Sequence, residues 1–298
     1  EAFKMNINKC FKEFLDYMEA EKNASHHTLK NYRGDFKIFL SFMSSNNMET
    51  DIDKIEVTDI RKYIVFLKKE KNYANETIRR KINSLKSFFN FLVSQDYLVQ
   101  NPMRGITAPK KEKRIPKYFT EKQVKLILDT AKKSDDDFAL RNYILIKLIA
   151  VTGIRRQEAV DLDFKDVDFG KNTIKIKGKG NKERIVPISK EFSEELWTYF
   201  QSRLPLKNQA MFITSTGNRI HSSRAHTIFV DILKKVGLNN KGLSLHSLRH
   251  SYATMLIQNG VDIAAVQELL GHEDINTTTV YAHTTTEHLK EQVAKLPY

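Results

Sequence analysis

Residues 162–188 read LDFKDVDFGKNTIKIKGKGNKERIVPI, the stretch in which apolar and polar residues alternate with a period of two. Three segments carry the alternation: Leu162 to Phe169, Thr173 to Lys177 and Glu183 to Ile188. Turn residues separate them at Asp168 to Asn172 and at Gly178 to Asn181. The pattern predicts one small antiparallel sheet. Its second turn presents Lys179 between two glycines, which let the backbone come close to another surface.

Outward from this stretch the period changes to that of a helix. Upstream, Thr120 is placed to cap a helix running through Ala131, and a second helix is expected over Ala139 to Thr152. Downstream, residues 190–295 read as mainly helical, with Leu196, Trp197 and Phe200 expected in the core and His221 and His226 flanking a helix start. The first hundred residues show almost no strand signal. Four amphipathic helices are expected there, at about Ile7 to Lys22, Thr28 to Ser45, Thr58 to Lys69 and Asn75 to Ser94. From Asn101 to Tyr118 the periodicity fails, and Pro102, Gly105, Pro109 and Pro116 break any regular helix. The fold class expected is therefore mainly α: an amino-terminal four-helix domain over 1–105, a basic linker over 106–119, and an α-rich domain with a small antiparallel sheet over 120–298.

Charge narrows the choice of partner. The 298 residues carry 49 Lys and Arg against 36 Asp and Glu, a formal net charge of +13, which points to a polyanion and first of all to nucleic acid. The helical domain is expected to show Lys30, Arg33, Lys37, Arg79, Arg80, Lys81 and Lys86 on its polar faces, and the linker adds Lys110, Lys111, Lys113, Arg114 and Lys117. Of these, Lys30, Arg33, Arg79, Arg80, Lys110 and Lys111 are the candidate DNA contacts. Ser25, His26, His27 and Thr28 open the second helix, where hydroxyls at a helix start suit a phosphate. The longest apolar run, Ile144 to Val151, contains Lys147 and falls short of the roughly 20 residues of a bilayer span. Glu1 and Lys4 are followed by no apolar run, so no secretory signal is read there. Cys10 is the single cysteine, which suits a reducing cytoplasm and reads as filler in a buried helix.

Four segments hold residue types suited to phosphate chemistry. Five of the nine histidines, His246, His250, His272, His283 and His288, fall in the last fifth of the chain with Arg249 and Tyr281. In HSLRH, His246 and Arg249 are three apart and would share one helix face, with room for a carboxylate or phosphate between them. In TGIRRQE, from Thr152 to Glu158, one helix ends at Thr-Gly and Arg155 starts the next, with Glu158 placed to pair with it or cap the turn. GKGNKE, from Gly178 to Glu183, carries Lys179, and GHEDINTTTVYAH, from Gly271 to His283, carries His272 and Tyr281.

Taken together these segments resemble the tyrosine recombinase (phage integrase) family, and most closely its Xer branch. The order Arg, Lys, His-x-x-Arg, His, Tyr is specific, and the likeness extends over nearly the whole chain. The resemblance implies that Arg155 is the first active-site arginine, Lys179 the hairpin lysine, His246 and Arg249 the His-x-x-Arg pair, His272 the second histidine and Tyr281 the nucleophile. Arg156 is an ambiguous neighbour, but the spacing from Gly153 and to Glu158 selects Arg155. The resemblance further implies a 3′-phosphotyrosyl intermediate and a Holliday junction, with neither metal nor ATP nor any cofactor. It implies four protomers on a double-stranded recombination site, as a homotetramer or with a paired recombinase, coupled by a final helix, Glu287 to Lys295, that docks in a neighbour. No arm-binding module is read before Ile7, which favours chromosome or plasmid dimer resolution over integration or excision of a mobile element or phage.

Three rivals stay in view. A zinc nuclease would use His246 and His250, but no Glu lies between them and no acidic cluster completes a ligand set. A non-catalytic architectural DNA-binding protein would explain the charge but not Tyr281, Lys179 and Arg249. A type IB topoisomerase shares the tyrosine chemistry but not a partner-docking tail.

Overall fold

In the computed structural model, residues 6–110, 117–178 and 182–271 are described below. The chain divides into two compact units, Glu1–Lys113 and Arg114–Tyr298.

The first unit is built from α1 (Ile7–Ala20), α2 (His26–Ser45), α3 (Val57–Lys69) and α4 (Asn75–Ser94). Local chemistry sets the ends. Ser25 caps α2 by accepting the Thr28 N–H at 3.2 Å, and Glu56 with Asp59 form a reciprocal cap on α3. Each helix is followed by a left-handed Asn or Asp: Asn23, Asn47, Asn72 and Asp96. These side chains tolerate positive φ and so stop the helix without a glycine. The core is aromatic, with Phe11 stacked on Phe36 at 3.6 Å and Phe14, Phe88 and Phe91 packed around them. Each such ring contributes about 1.5–3 kcal/mol by its burial. Cys10 is fully buried in α1, as expected of filler, and Ile106 and Ala108 also pack on this core.

One surface expectation is corrected. Lys81 is not on the polar face of α4 but 3% exposed, because the buried Asp35 of α2 faces it. The Asp35 carboxylate accepts from Lys81 Nζ at 2.8 Å, Arg80 Nη1 at 2.5 Å and Ser84 Oγ at 2.7 Å. A charge leaves water only when a partner of this kind meets it.

The second unit contains α5 (Glu121–Lys132), α6 (Ala139–Thr152), α7 (Arg156–Asp161), β1 (Val167–Asp168), β2 (Thr173–Lys177), β3 (Glu183–Pro187), α8 (Lys190–Ser202), α9 (Ser222–Lys235), α10 (Leu245–Gln258) and α11 (Ile263–Leu270). Thr120 and Gln123 cap α5 reciprocally. Helix α6 is apolar nearly all round and forms the axis of the unit, with α5, α8 and α10 packed about it. The three strands form an antiparallel sheet in the order β1-β2-β3, with Ile174 opposite Val186 and Ile176 opposite Arg184. Ile174, Ile176 and Val186 are fully buried against the core.

The first strand is shorter than its alternation suggests. The Asp166 carboxylate accepts the Asp163 N–H at 2.9 Å, which winds Phe164–Asp166 into a 3-10 turn and leaves two residues for β1. Leu196 is buried as expected, but Trp197 is 44% exposed at the rim of the core, edge-on to Phe169 and beside Phe200. Among the described residues no helix is long and apolar enough to cross a membrane.

Candidate active site

The site begins where α6 stops. Gly153 ends that helix in the left-handed conformation at φ 63°, and its missing side chain is needed twice over. A Cβ there would lie 2.4 Å from Tyr252 of α10 and 2.8 Å from Leu270 of α11. The close approach lets Ile154 bury fully and turns Arg155 outward as the cap of α7. Glu158, one turn on, takes the Arg155 N–H at 2.8 Å and the Arg155 Nη1 at 2.9 Å.

Helix α10 brings the second basic group from nearly a hundred residues away in sequence. Ser251 Oγ donates to Ser247 O and accepts the Phe119 N–H at 2.7 Å, which fixes the helix against the start of the unit. His246 and Arg249 lie on one side of its first turns. Arg249 is 1% exposed and donates to Gly153 O at 2.5 Å and Leu270 O at 2.8 Å. His246 reaches solvent, yet its ring lies in dense surroundings near Arg249, Arg155 and Arg156. Burial first, and then those three positive charges, push its pKa below the ordinary imidazole value. The His246 and His250 rings meet edge-on at 4.6 Å, and among the described residues no group of three or more His, Cys, Asp or Glu is arranged to hold a metal ion.

The last turn of α11 closes the site. Three successive carbonyls there each accept from an arginine: Leu269 O from Arg184 Nε at 3.1 Å, Leu270 O from Arg249 and Gly271 O from Arg155 Nη2 at 3.3 Å. Carbonyls at a helix end carry partial negative charge and lack partners within the helix, so cations are favoured there. Arg155, His246 and Arg249 are thus brought into one neighbourhood, at the residue that precedes His272. Lys179, His272, Tyr281 and the helix expected over Glu287 to Lys295 lie outside the described residues, as does Lys111.

Two groups escaped the reading of the sequence. Arg184 forks onto Glu158, with Nη1 to Oε1 at 3.0 Å and Nη2 to Oε2 at 2.8 Å. Its signal was parity: on β3 it shares the inward face with Val186, a place where a charge needs a partner. Asp35 is the other, a lone acid on a helix face otherwise apolar. Burial alone would raise the Glu158 carboxyl. The bonds and charge of Arg184 and Arg155 outweigh it and hold the group below the usual carboxylate value.

In the first unit, Arg79 and Arg80 line a cavity of about 460 Å³ with Thr28, Asn31, Tyr32 and Asn83, between the starts of α2 and α4. Lys30 and Arg33 are exposed on α2 and Lys110 is exposed beyond the bundle.

Residues 117–288 match the Phage integrase family, and residues 11–96 match the Phage integrase, N-terminal SAM-like domain. The chain is 32% identical over 290 residues to Tyrosine recombinase XerC of Listeria innocua serovar 6a, covering 95% of this chain and 96% of that protein. It is 33% identical over 291 residues to Tyrosine recombinase XerD of the same organism, covering 96% and 97%. Among solved structures it is similar to XerA recombinase, with a TM-score of 0.55 and 32% identity over 98% of this chain and 100% of that one. In fold it is similar to XerH site-specific recombinase bound to palindromic difH substrate in a post-cleavage complex, with a TM-score of 0.76 at 23% identity, over 99% and 91%. The chain belongs to the phage integrase family, in its Xer-type branch of tyrosine recombinases. It is an enzyme of site-specific DNA strand transfer.

Proposed function

We propose that the chain cleaves and rejoins double-stranded DNA at a recombination site through a 3′-phosphotyrosyl intermediate, with Tyr281 as the nucleophile. The observation that supports this most is the convergence of Arg155, from the head of α7, with His246 and Arg249, from α10, beside the end of α11. Phosphoryl transfer asks chiefly for positive charge around the phosphorus. Arg155 and Arg249 are the residues to stabilise the non-bridging oxygens. Arg249 is held by two carbonyls, so it is a fixed donor that needs no reordering as charge builds.

In the step itself the Tyr281 oxygen bonds to phosphorus and the bond from phosphorus to the 5′ oxygen breaks. Lys179 gives its proton to the leaving 5′ oxygen. The phenolic proton passes to His246, whose lowered pKa leaves the ring neutral and able to accept it at neutral pH. His272 supports the phosphate beside it. Tyr252, by contrast, is held by burial as the protonated phenol, which makes it a poor nucleophile. The phosphoester energy is kept in the covalent bond, so resealing by a 5′ hydroxyl needs no ATP.

Four copies on two sites would exchange one strand pair, pass through a Holliday junction and exchange the second. Likeness to XerC and XerD proteins supports dimer resolution of a chromosome or plasmid as the task. Lys30, Arg33, Arg79, Arg80, Lys110 and Lys111 are proposed to grip the duplex backbone. Nicked suicide DNA tests the reading: the wild type is expected to form a covalent adduct, and Tyr281→Phe to bind DNA without forming it. An adduct in the Phe variant would show that another residue attacks.

A further inference from the structure

Glu158 has more to do than pair with Arg155. Its carboxylate is 6% exposed and collects four donors: the N–H and Nη1 of Arg155, and Nη1 and Nη2 of Arg184. Arg184 is 15% exposed and stands on a strand, whereas Arg155 is 42% exposed at the head of a short helix. The rigid partner of Glu158 is therefore Arg184.

That guanidinium is crowded by the end of α11, by Glu158 and by Gly178. Its Nε holds Leu269 O at 3.1 Å. A Cβ on Gly271 would lie 3.0 Å from its Nη1 and 3.2 Å from its Cζ, so the end of α11 rests on the guanidinium through a residue without a side chain. Gly178 passes over the ion pair in the same way, where a Cβ would be 3.7 Å from Arg184 Nη1 and 3.8 Å from Glu158 Oε1. Arg184 thus ties together β3, α7 and the end of α11, the elements that carry or adjoin Arg155 and the carbonyl it binds.

We propose that Arg184 is a positioning residue for DNA cleavage, acting through Glu158 to aim the Arg155 guanidinium at the scissile phosphate. This rests on the reading of Arg155 as a phosphate ligand. Without the fork from Arg184, the Glu158 carboxylate loses two of its four donors and can swing with Arg155. A lysine at 184 keeps the charge but offers one point of it, and cannot hold both carboxylate oxygens and Leu269 O together.

The test is single-turnover formation of the covalent adduct on nicked suicide DNA, with either a normal scissile phosphate or a methylphosphonate, in which a methyl group replaces one charged oxygen. An arginine that works by attracting that charge matters far less on the neutral substrate. For Arg184→Lys and Arg184→Gln, adduct formation on the phosphate is expected to slow about 100-fold, the gap to wild type narrowing to about threefold on the methylphosphonate. DNA affinity should stay within about twofold, since Arg184 faces inward. Wild-type rates on the phosphate, or equal slowing on both substrates, would overturn the proposal, because a merely structural loss does not depend on substrate charge. Arg184→Lys retains the charge beside Glu158 and serves where Arg184→Gln fails to fold. Arg155→Ala is the separate arm. Equal slowing of that variant on both substrates would overturn the phosphate-ligand reading itself, and with it the route through Arg155.

Discussion

Replacing Asp35 by Leu should cost the helical unit a large part of its stability, and replacing Lys81 as well should return most of that loss. The Asp35 and Lys81 side chains are 3% and 4% exposed, so Asp35→Leu strands an ammonium in the interior. Removing one member of a buried pair costs about 3–5 kcal/mol. Arg80 adds little, because its side chain is 47% exposed and water replaces the lost partner. Ser84 keeps an acceptor in Arg80 O. The loss is thus about 4 kcal/mol, set against the 5–15 kcal/mol that a domain commonly has. In Asp35→Leu with Lys81→Met the buried charge is gone and apolar groups of similar volume fill the space, so stability should come within about 1–2 kcal/mol of wild type. Hydrogen exchange at the backbone amides of α2 and α4, measured in the full chain, reads both losses. If the double variant is as unstable as Asp35→Leu, the damage does not come from an unpaired Lys81 and the reasoning fails.

Glu158→Gln should lower the stability of the second unit by about 2–3 kcal/mol at pH 7, where the carboxylate accepts charged hydrogen bonds. Because the folded carboxyl sits below its unfolded value of about 4.3, that stabilisation is complete above pH 5 and fades as pH falls through the folded value. Urea midpoints of the two proteins should therefore converge as pH falls through the folded value, and a gap independent of pH would contradict the charge assignment. The acid limb of cleavage should lie below pH 6.5 and disappear in His246→Asn, since burial and neighbouring arginines hold the ring neutral; a limb unchanged in that variant would acquit His246 as the base. Gly153→Ala should cost about 3–5 kcal/mol, combining left-handed strain with overlap on Tyr252 and Leu270, and Tyr252→Ala should relieve part of it in thermal melts.

The helices were legible in the sequence because their signals are local. Apolar steps of three and four residues, Ser25 and Thr120 as caps, and a left-handed Asn or Asp after each of α1 to α4 all act within a turn or two of chain. The small sheet was legible through Thr173 to Lys177 and Glu183 to Pro187, whose alternation matches their burial. It misled over Leu162 to Phe169, where Asp163 and Asp166 bond to each other's backbone and periodicity cannot register a side chain that takes the place of a strand partner. The pairing of Glu158 with Arg155 was legible in their three-residue spacing, and Arg155, His246 and Arg249 were candidates through motif order. Lys81 was not, because Asp35 lies 46 residues away and the pair exists only after α2 and α4 pack. Arg184 stands within the alternating stretch, yet its bonds form only when α7 and α11 arrive beside β3.

Arg155, Arg184 and Arg249 each hold a carbonyl of the α11 end. The choice of acceptor matters. A carboxylate would satisfy a guanidinium and cancel its charge, while a carbonyl satisfies its hydrogen bond and leaves the charge in place. Glu158 pairs with two of the three, Arg155 and Arg184, while the carbonyls add bonds without adding a full negative charge. The cluster is fixed in position, so on the proposed mechanism a charge that develops on the phosphodiester oxygens during attack meets donors already set in place.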